Sequence, residues 1–420
     1  LSRGLGDVYK RQAYHVFAVL VFAAGMAVLP FIHLFMKNNS YSLSYIRVLY
    51  AMWLVRTVLS YLLTYRKSLL IADQKEYIAS ITGLILNVVS YLAIILLVTW
   101  EQNYLLALGI GTVTEVVLNI WISWYVEQKY PFLRQRRKEK STSSLTKRIV
   151  RDLKSLFISR ISEKMLYCTD NLIISGFIGV GTVGRYANYC MITQAISNIL
   201  TILANTIQPT VGDYFTEKNR QRNYEILRQL TFGFFCIASV VSVGLFSLIT
   251  PFVRDIWLGP SYELGWGITV FCIVVLLVRI MGLPLSLVMG VTGLFEKEKN
   301  VGASSALLNL IVSLALVKPY GMAGVLLGTL LSYLLQILYR YIIYFRDFLE
   351  MPGEALRYAQ DIGEYLAVIA GEVLLMQKIV PLIYGAGGML LFCVCFLLCI
   401  AIPLLLDLVI FGSCLLYTSP

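Results

Sequence analysis

Three features of the sequence predict an all-α, polytopic membrane protein. Of 420 residues, 58% are hydrophobic and only 14% are charged, against roughly 25% charged in a soluble domain, so a water-facing surface of ordinary polarity cannot be built. Apolar runs of about 20 residues, enough for a helix to cross the hydrocarbon core, recur along the chain. The loops between them alternate between basic and nearly neutral, as expected for a chain threaded back and forth across a bilayer. Lipid offers no partner to backbone amides, so each run is read as helix.

The ends are set aside first. Asp7–Gln12 (DVYKRQ) and Cys414–Ser419 (CLLYTS) can be encoded by DNA segments that are almost reverse complements, as a sequencing adapter translated at both ends would be. Residues 1–12 and 414–420 are therefore excluded from the fold, and the remainder is expected to be truncated on both sides. Seven cysteines, Cys168, Cys190, Cys236, Cys272, Cys393, Cys395 and Cys399, lie in apolar segments, and none shows metal-ligand spacing with histidine. They read as small hydrophobes. No metal site and no cofactor are expected.

Twelve spans follow from apolar length and loop punctuation: 13–36, 44–65, 78–99, 104–126, 154–178, 184–210, 226–250, 266–291, 300–318, 321–345, 362–383 and 388–411. Trp100, Trp121, Trp124, Trp257 and Trp266 fall near span ends, where amphipathic rings favour the headgroup level; Trp53 does not. One alternate set of loops holds 21 Lys and Arg residues and the other only 4 (Lys37, Arg185, Arg254 and Lys318). The first set is read as cytoplasmic. The net charge of +11 then belongs to topology and anionic lipid rather than nucleic acid. The only long connection, 127–153, contains Arg134–Lys140 (RQRRKEK), Pro131 and the run Ser141–Ser144, and reads as a basic cytoplasmic linker. Four spans precede it and eight follow, and the outward loops are too short for an extramembrane catalytic domain.

Polar residues within spans point to a wet interior. On the fifth span Arg160, Glu163, Lys164, Tyr167, Asp170 and Asn171 share one helix face. On the sixth, Gln194, Asn198, Thr201, Asn205 and Gln208 recur at helical spacing. Such stripes either line an aqueous cavity or join helices through hydrogen bonds, and the charges on the fifth favour the cavity. Arg56, Glu115, Arg279 and Glu372 also come near mid-span. Arg56 and Glu115 are as well explained by mutual neutralisation as by a ligand. Arg279 has no acidic residue in its own span and precedes Gly282 and Pro284, which permit a bend, so it is the first choice for a ligand-facing charge. Glu372 is a candidate by the same argument, but it lies in a late span and its role stays open. The candidate cavity residues are Arg279, Arg160, Lys164, Arg56, Asp170, Asn171, Gln194, Asn198 and Asn205.

Tyr65–Tyr77 (YRKSLLIADQKEY), Thr169–Tyr189 (TDNLIISGFIGVGTVGRYANY) and Gln208–Asp213 (QPTVGD) resemble the polysaccharide biosynthesis (Wzx-type) flippases of the multidrug/oligosaccharidyl-lipid/polysaccharide exporter superfamily, over nearly all of 13–413. The resemblance implies two pseudo-symmetric six-helix lobes around a central cavity, often followed by two extra helices. Residues 13–126 would be a partial N-terminal lobe of four helices, 154–345 the C-terminal lobe of six, and 346–413 the two extras, with two N-terminal helices of an expected fourteen missing. It further implies alternating access in a bacterial inner membrane, with basic residues holding the diphosphate of a polyprenyl-linked oligosaccharide. Arg160, Lys164, Arg279 and, less firmly, Arg56 map to that role. Glycosyltransferases and a polymerase of the same pathway would be partners, alongside membrane lipids. A cation-coupled multidrug exporter of the superfamily is the nearest alternative. A membrane polymerase or glycosyltransferase is disfavoured because the longest outward loop offers only Asp255 and Glu263 around Arg254.

Overall fold

The computed structural model describes residues 2–36, 41–63, 66–73, 75–101, 103–130, 168–215, 219–385 and 387–416, and these residues are helices and their connections. The chain divides into two compact units, Leu1–Arg151 and Asp152–Pro420. Ten helices among the described residues are long and apolar enough to cross a membrane. This is fewer than the twelve spans expected, for two reasons. The segment 44–65 does form a helix, but it carries Arg47 and Arg56 and falls outside the ten. Most of 154–178 lies outside the described residues.

Among the described residues the first unit holds five helices. α1 (Ser2–Val28) runs without a break through the segment set aside as adapter-like. It tightens into a 3-10 stretch at Leu29–Phe35, where Pro30 has no N–H to continue the α pattern. α2 (Leu43–Leu63) packs on α1 and on α5 (Tyr104–Lys129), and α5 packs on α4 (Glu76–Glu101). The side chain of Asn103 caps α5 by accepting from Leu105 N at 3.1 Å. The short α3 (Lys67–Ala72) lies against α4 and α5 around Leu70, Ala79, Ile122 and Val126. Beyond α3, Asp73 accepts from Lys75 Nζ at 2.5 Å and from Tyr130 Oη at 2.6 Å. The Lys75 hydrogen bond, followed by that of Tyr130, holds the Asp73 carboxyl below its ordinary range. An Arg66–Glu127 ion pair fastens the same end.

The second unit is built around α9 (Trp266–Val291), half of whose apolar stretch is buried inside the protein. Ile273, Leu276, Ile280 and Met289 are almost fully enclosed. The helix packs against α7 (Val180–Tyr214), α8 (Arg220–Pro251) and α11 (Met322–Ile343). A further helix, α6, covers 168–177. α9 stays helical through Pro284, and Gly282 serves close packing: a Cβ there would lie 2.9 Å from Ile337 of α11. α10 (Phe295–Tyr320) and α11 form an antiparallel pair joined at Gly321, whose φ of 57° suits a residue without Cβ. Gly324 and Gly328 let them touch, since a Cβ at either would collide with Leu316 or Ser313 of α10. This is the small-xxx-small contact of membrane helices.

α12 (Pro352–Tyr384) and α13 (Met389–Leu416) both pack on α8. Phe235 of α8 stacks on Tyr365 of α12 at 4.4 Å, and Phe411 of α13 meets both rings edge-on at 5.4 Å. Arg228 makes a bidentate pair with Asp361 at 2.6 and 3.1 Å, tying α8 to α12. Outward faces are apolar: on α4, Leu84, Val89 and Leu96 are each more than half exposed. Lipid contact accounts for surfaces that water would not tolerate at this extent.

Candidate functional site

Arg56 and Glu115 meet across α2 and α5, with Arg56 Nε donating to Glu115 Oε2 at 2.7 Å. The guanidinium also lies over the Trp53 ring at 5.0 Å. Gly111 of α5 makes room for it, because a Cβ there would stand 3.3 Å from Arg56 Nη1. Of the two sequence readings, mutual neutralisation is therefore the one with a formed contact. The pair lies inside the first unit.

The other candidates belong to the second unit. Arg160 and Lys164 lie outside the described residues. Arg279 sits midway along α9, half-buried, with its cation 5.4 Å from the centre of the Tyr333 ring on α11. It is within electrostatic range of Cys190 on α7, one helical turn before Gln194. On α7, Gln194 donates to Asn198 at 2.9 Å, Thr201 returns its hydroxyl to Ser197 O, and Asn198, Thr201 and Asn205 are exposed. Asn171 is exposed as well. The stripe on α7 thus satisfies part of its hydrogen bonding along its own helix and presents the rest outward. Arg279 stands near its beginning.

Asp170 behaves differently from its neighbour. It is 4% exposed and is turned into the α10–α11 pair, where Thr329 Oγ1 donates to Oδ2 at 2.6 Å and Asn309 Nδ2 to Oδ1 at 3.3 Å. Asn309 also reaches Thr329 at 2.9 Å, and Ser313 donates to Val325 O at 3.2 Å. Asn309 Oδ1 is buried and has no hydrogen-bond donor among the described residues. Asp170, Asn309 and Thr329 form a buried, oxygen-rich nest that continues through Val325 O to Ser313, and oxygen is the donor a hard cation prefers. Asn309, Ser313 and Thr329 were absent from the sequence-derived set. Their signal was present, since Ser305, Asn309 and Ser313 recur every fourth residue along the mainly apolar stretch 301–317.

A second buried polar group joins Glu372, which the sequence noted at mid-span, to Asp407, which it passed over. Glu372 of α12, 3% exposed, accepts from Ser239 Oγ of α8 at 2.6 Å, and Asp407 of α13, 1% exposed, stands against both. Among the described residues no cluster of three or more His, Cys, Asp or Glu is placed to hold a metal.

Comparison with known proteins accords with this architecture. Residues 9–215 match the family described as polysaccharide biosynthesis protein. No curated protein matches the chain. Among solved structures, the lipid II flippase MurJ in an inward closed conformation superposes with a TM-score of 0.71 at 15% identity, covering 97% of this chain and 85% of that one. A mutant form of the Vibrio cholerae MATE transporter VcmN superposes with a TM-score of 0.52 at 12% identity, covering 84% and 80% respectively. Residues 9–215 thus resemble the polysaccharide biosynthesis protein family, and the chain is a multi-pass membrane protein with the fold seen in the lipid II flippase and MATE transporter structures.

Proposed function

We propose that the protein is a flippase that moves a polyprenyl-diphosphate-linked oligosaccharide from the cytoplasmic to the outer leaflet of a bacterial inner membrane by alternating access. The observation that carries this reading is Arg279, a half-buried positive charge at the middle of the most enclosed span. A guanidinium at that depth is expensive unless it is used, and its planar fork suits a diphosphate. The polar face of α7 beginning beside it, with Gln194, Asn198 and Asn205, offers amides to sugar hydroxyls. Arg160 and Lys164, on the chain just before α6, would add positive charge; Asn171 would extend the polar face. The glycan, the lipid tail in the surrounding bilayer, and glycosyltransferases and a polymerase acting before and after it are the partners this role requires.

The test measures glycan export and protein abundance together in the intact protein. Arg279→Ala is expected to abolish export at near-normal abundance, and Arg279→Lys to retain part of it, because the charge survives without the bidentate geometry. Normal export by a well-expressed Arg279→Ala would overturn the reading.

A cation-coupled multidrug exporter is the second reading, and the oxygen nest around Asp170 favours it. Transport of cationic dyes into proteoliposomes, driven by a sodium or proton gradient and lost in Asp170→Asn, would establish it in place of the first.

A further inference from the structure

The Glu372–Asp407 contact lies on the seam where α8, α12 and α13 all pack together. Both residues are buried, as is Ser239. Glu372 Oε2 takes the Ser239 hydroxyl at 2.6 Å. Glu372 Oε1, Asp407 Oδ1 and Asp407 Oδ2 are enclosed and receive no hydrogen bond from the described residues. An ionised carboxylate can only accept, so two of them side by side cannot satisfy one another. Enclosed in hydrocarbon they also repel.

The helices around the pair provide no countercharge. From α8 the titratable group facing it is the Cys236 thiol. From α12 it is Tyr365, two turns away, whose ring is stacked on Phe235. α13 contributes Cys399, two turns from Asp407 and beside Ser247. The nearest basic side chain on α8, Arg228, is three turns from Ser239 and already paired with Asp361, and Lys378 of α12 is exposed. Among the described residues no Lys, Arg or His interacts with either carboxyl.

We propose that Glu372 and Asp407 form a proton-binding site, in which one proton shared between the two carboxyl groups supplies the missing donor. A proton needs only two oxygens, whereas a metal cation needs several to replace its hydration shell, and the side chains here are two carboxyls and one hydroxyl. The proton turns a repulsive contact into a hydrogen bond, with Ser239 completing the set. Its loss leaves two anions on the seam and weakens the hold of α12 on α13. On one side the site is closed by Phe235, Tyr365 and Phe411, each about one or two turns along its own helix from the site. Exchange with solvent from that side therefore requires those rings to part.

Infrared spectroscopy of the full chain in lipid nanodiscs tests this without any cargo, so its outcome is independent of the flippase reading. The wild-type protein at neutral pH is expected to show a carbonyl band of an un-ionised carboxylic acid that is absent from Glu372→Gln/Asp407→Asn and indifferent to sodium. Should the double variant fold poorly, the single variants Glu372→Gln and Asp407→Asn are each expected to move or remove the band, and Ser239→Ala to shift it through the lost hydrogen bond. A band unchanged in both single variants, no such band in the wild type, or a band that disappears on replacing choline with sodium would each overturn the proposal, the last by showing a metal cation in the proton's place.

Discussion

Replacing Glu115 with Gln removes the charge facing Arg56 while keeping the shape of the side chain. The size of the effect follows from the geometry. The two side chains are 29% and 32% exposed and meet at 2.7 Å. A fully exposed pair is worth about 0.2–1 kcal/mol, whereas stranding one partner of a fully buried pair costs about 3–5 kcal/mol. With roughly a third of each side chain accessible, solvent screening and the surviving contact with Trp53 bring the expected loss to about 2 kcal/mol, or about 30-fold in the unfolding equilibrium. The substitution Arg56→Met removes the stranded charge, so adding it to Glu115→Gln should recover part of the loss. The assay is a double-mutant cycle on equilibrium unfolding in mixed micelles. A coupling below about 0.5 kcal/mol, the scatter of unremarkable surface changes, would refute a structural pair and return Arg56 to the ligand-facing set.

Gly328→Ala should cost about 1–3 kcal/mol through overpacking, because its Cβ meets Ser313 of α10; an unchanged melting temperature would contradict the close α10–α11 approach. Asp170→Asn should abolish any sodium-dependent rise in thermal stability, read in sodium against choline; retention of that rise would place the cation elsewhere. Asp73, outside the spans, has a folded pKa held low by Lys75 and Tyr130. Its contribution is therefore fully present above the unfolded carboxylate value and fades only as pH falls through the lower folded one. Asp73→Asn should accordingly reduce stability at neutral pH and leave it unaltered in strong acid, as chemical denaturation at the two pH values will show. A cysteine at Ser143 in the 127–153 linker should resist membrane-impermeant thiol reagents in intact cells; ready labelling would invert the orientation.

The sequence located helices better than it located their partners. The span expected at 266–291 coincides with α9 because Gly265 marks its start and a mainly apolar run, with Arg279 its single charge, continues to Val291. The spans around it were expected too short. α8 begins at Arg220 and α12 at Pro352, since a hydropathy reading stops at the first charges although the helix carries them out of the lipid. Asp170 shows the limit for the site. Helical spacing puts it on the same face as Arg160 and Lys164, but spacing cannot say which neighbour a face meets, and α10 and α11 supply its contacts from 139 and 159 residues away. Asp407 drew no notice as a lone acid late in an apolar run. Its significance depends on Glu372, brought beside it only when both helices close on α8.

The aromatic stack and the Arg228–Asp361 clasp have a mechanical consequence. With α12 bolted to α8 at one level by charge and at another by Phe235, Tyr365 and Phe411, the last two helices are a keel of the second unit rather than a trailing appendage. Whatever torque turns α8 turns them by the same angle. A fluorophore on the exposed face of α13, at Leu397 or Leu405, would consequently report any turning of α8.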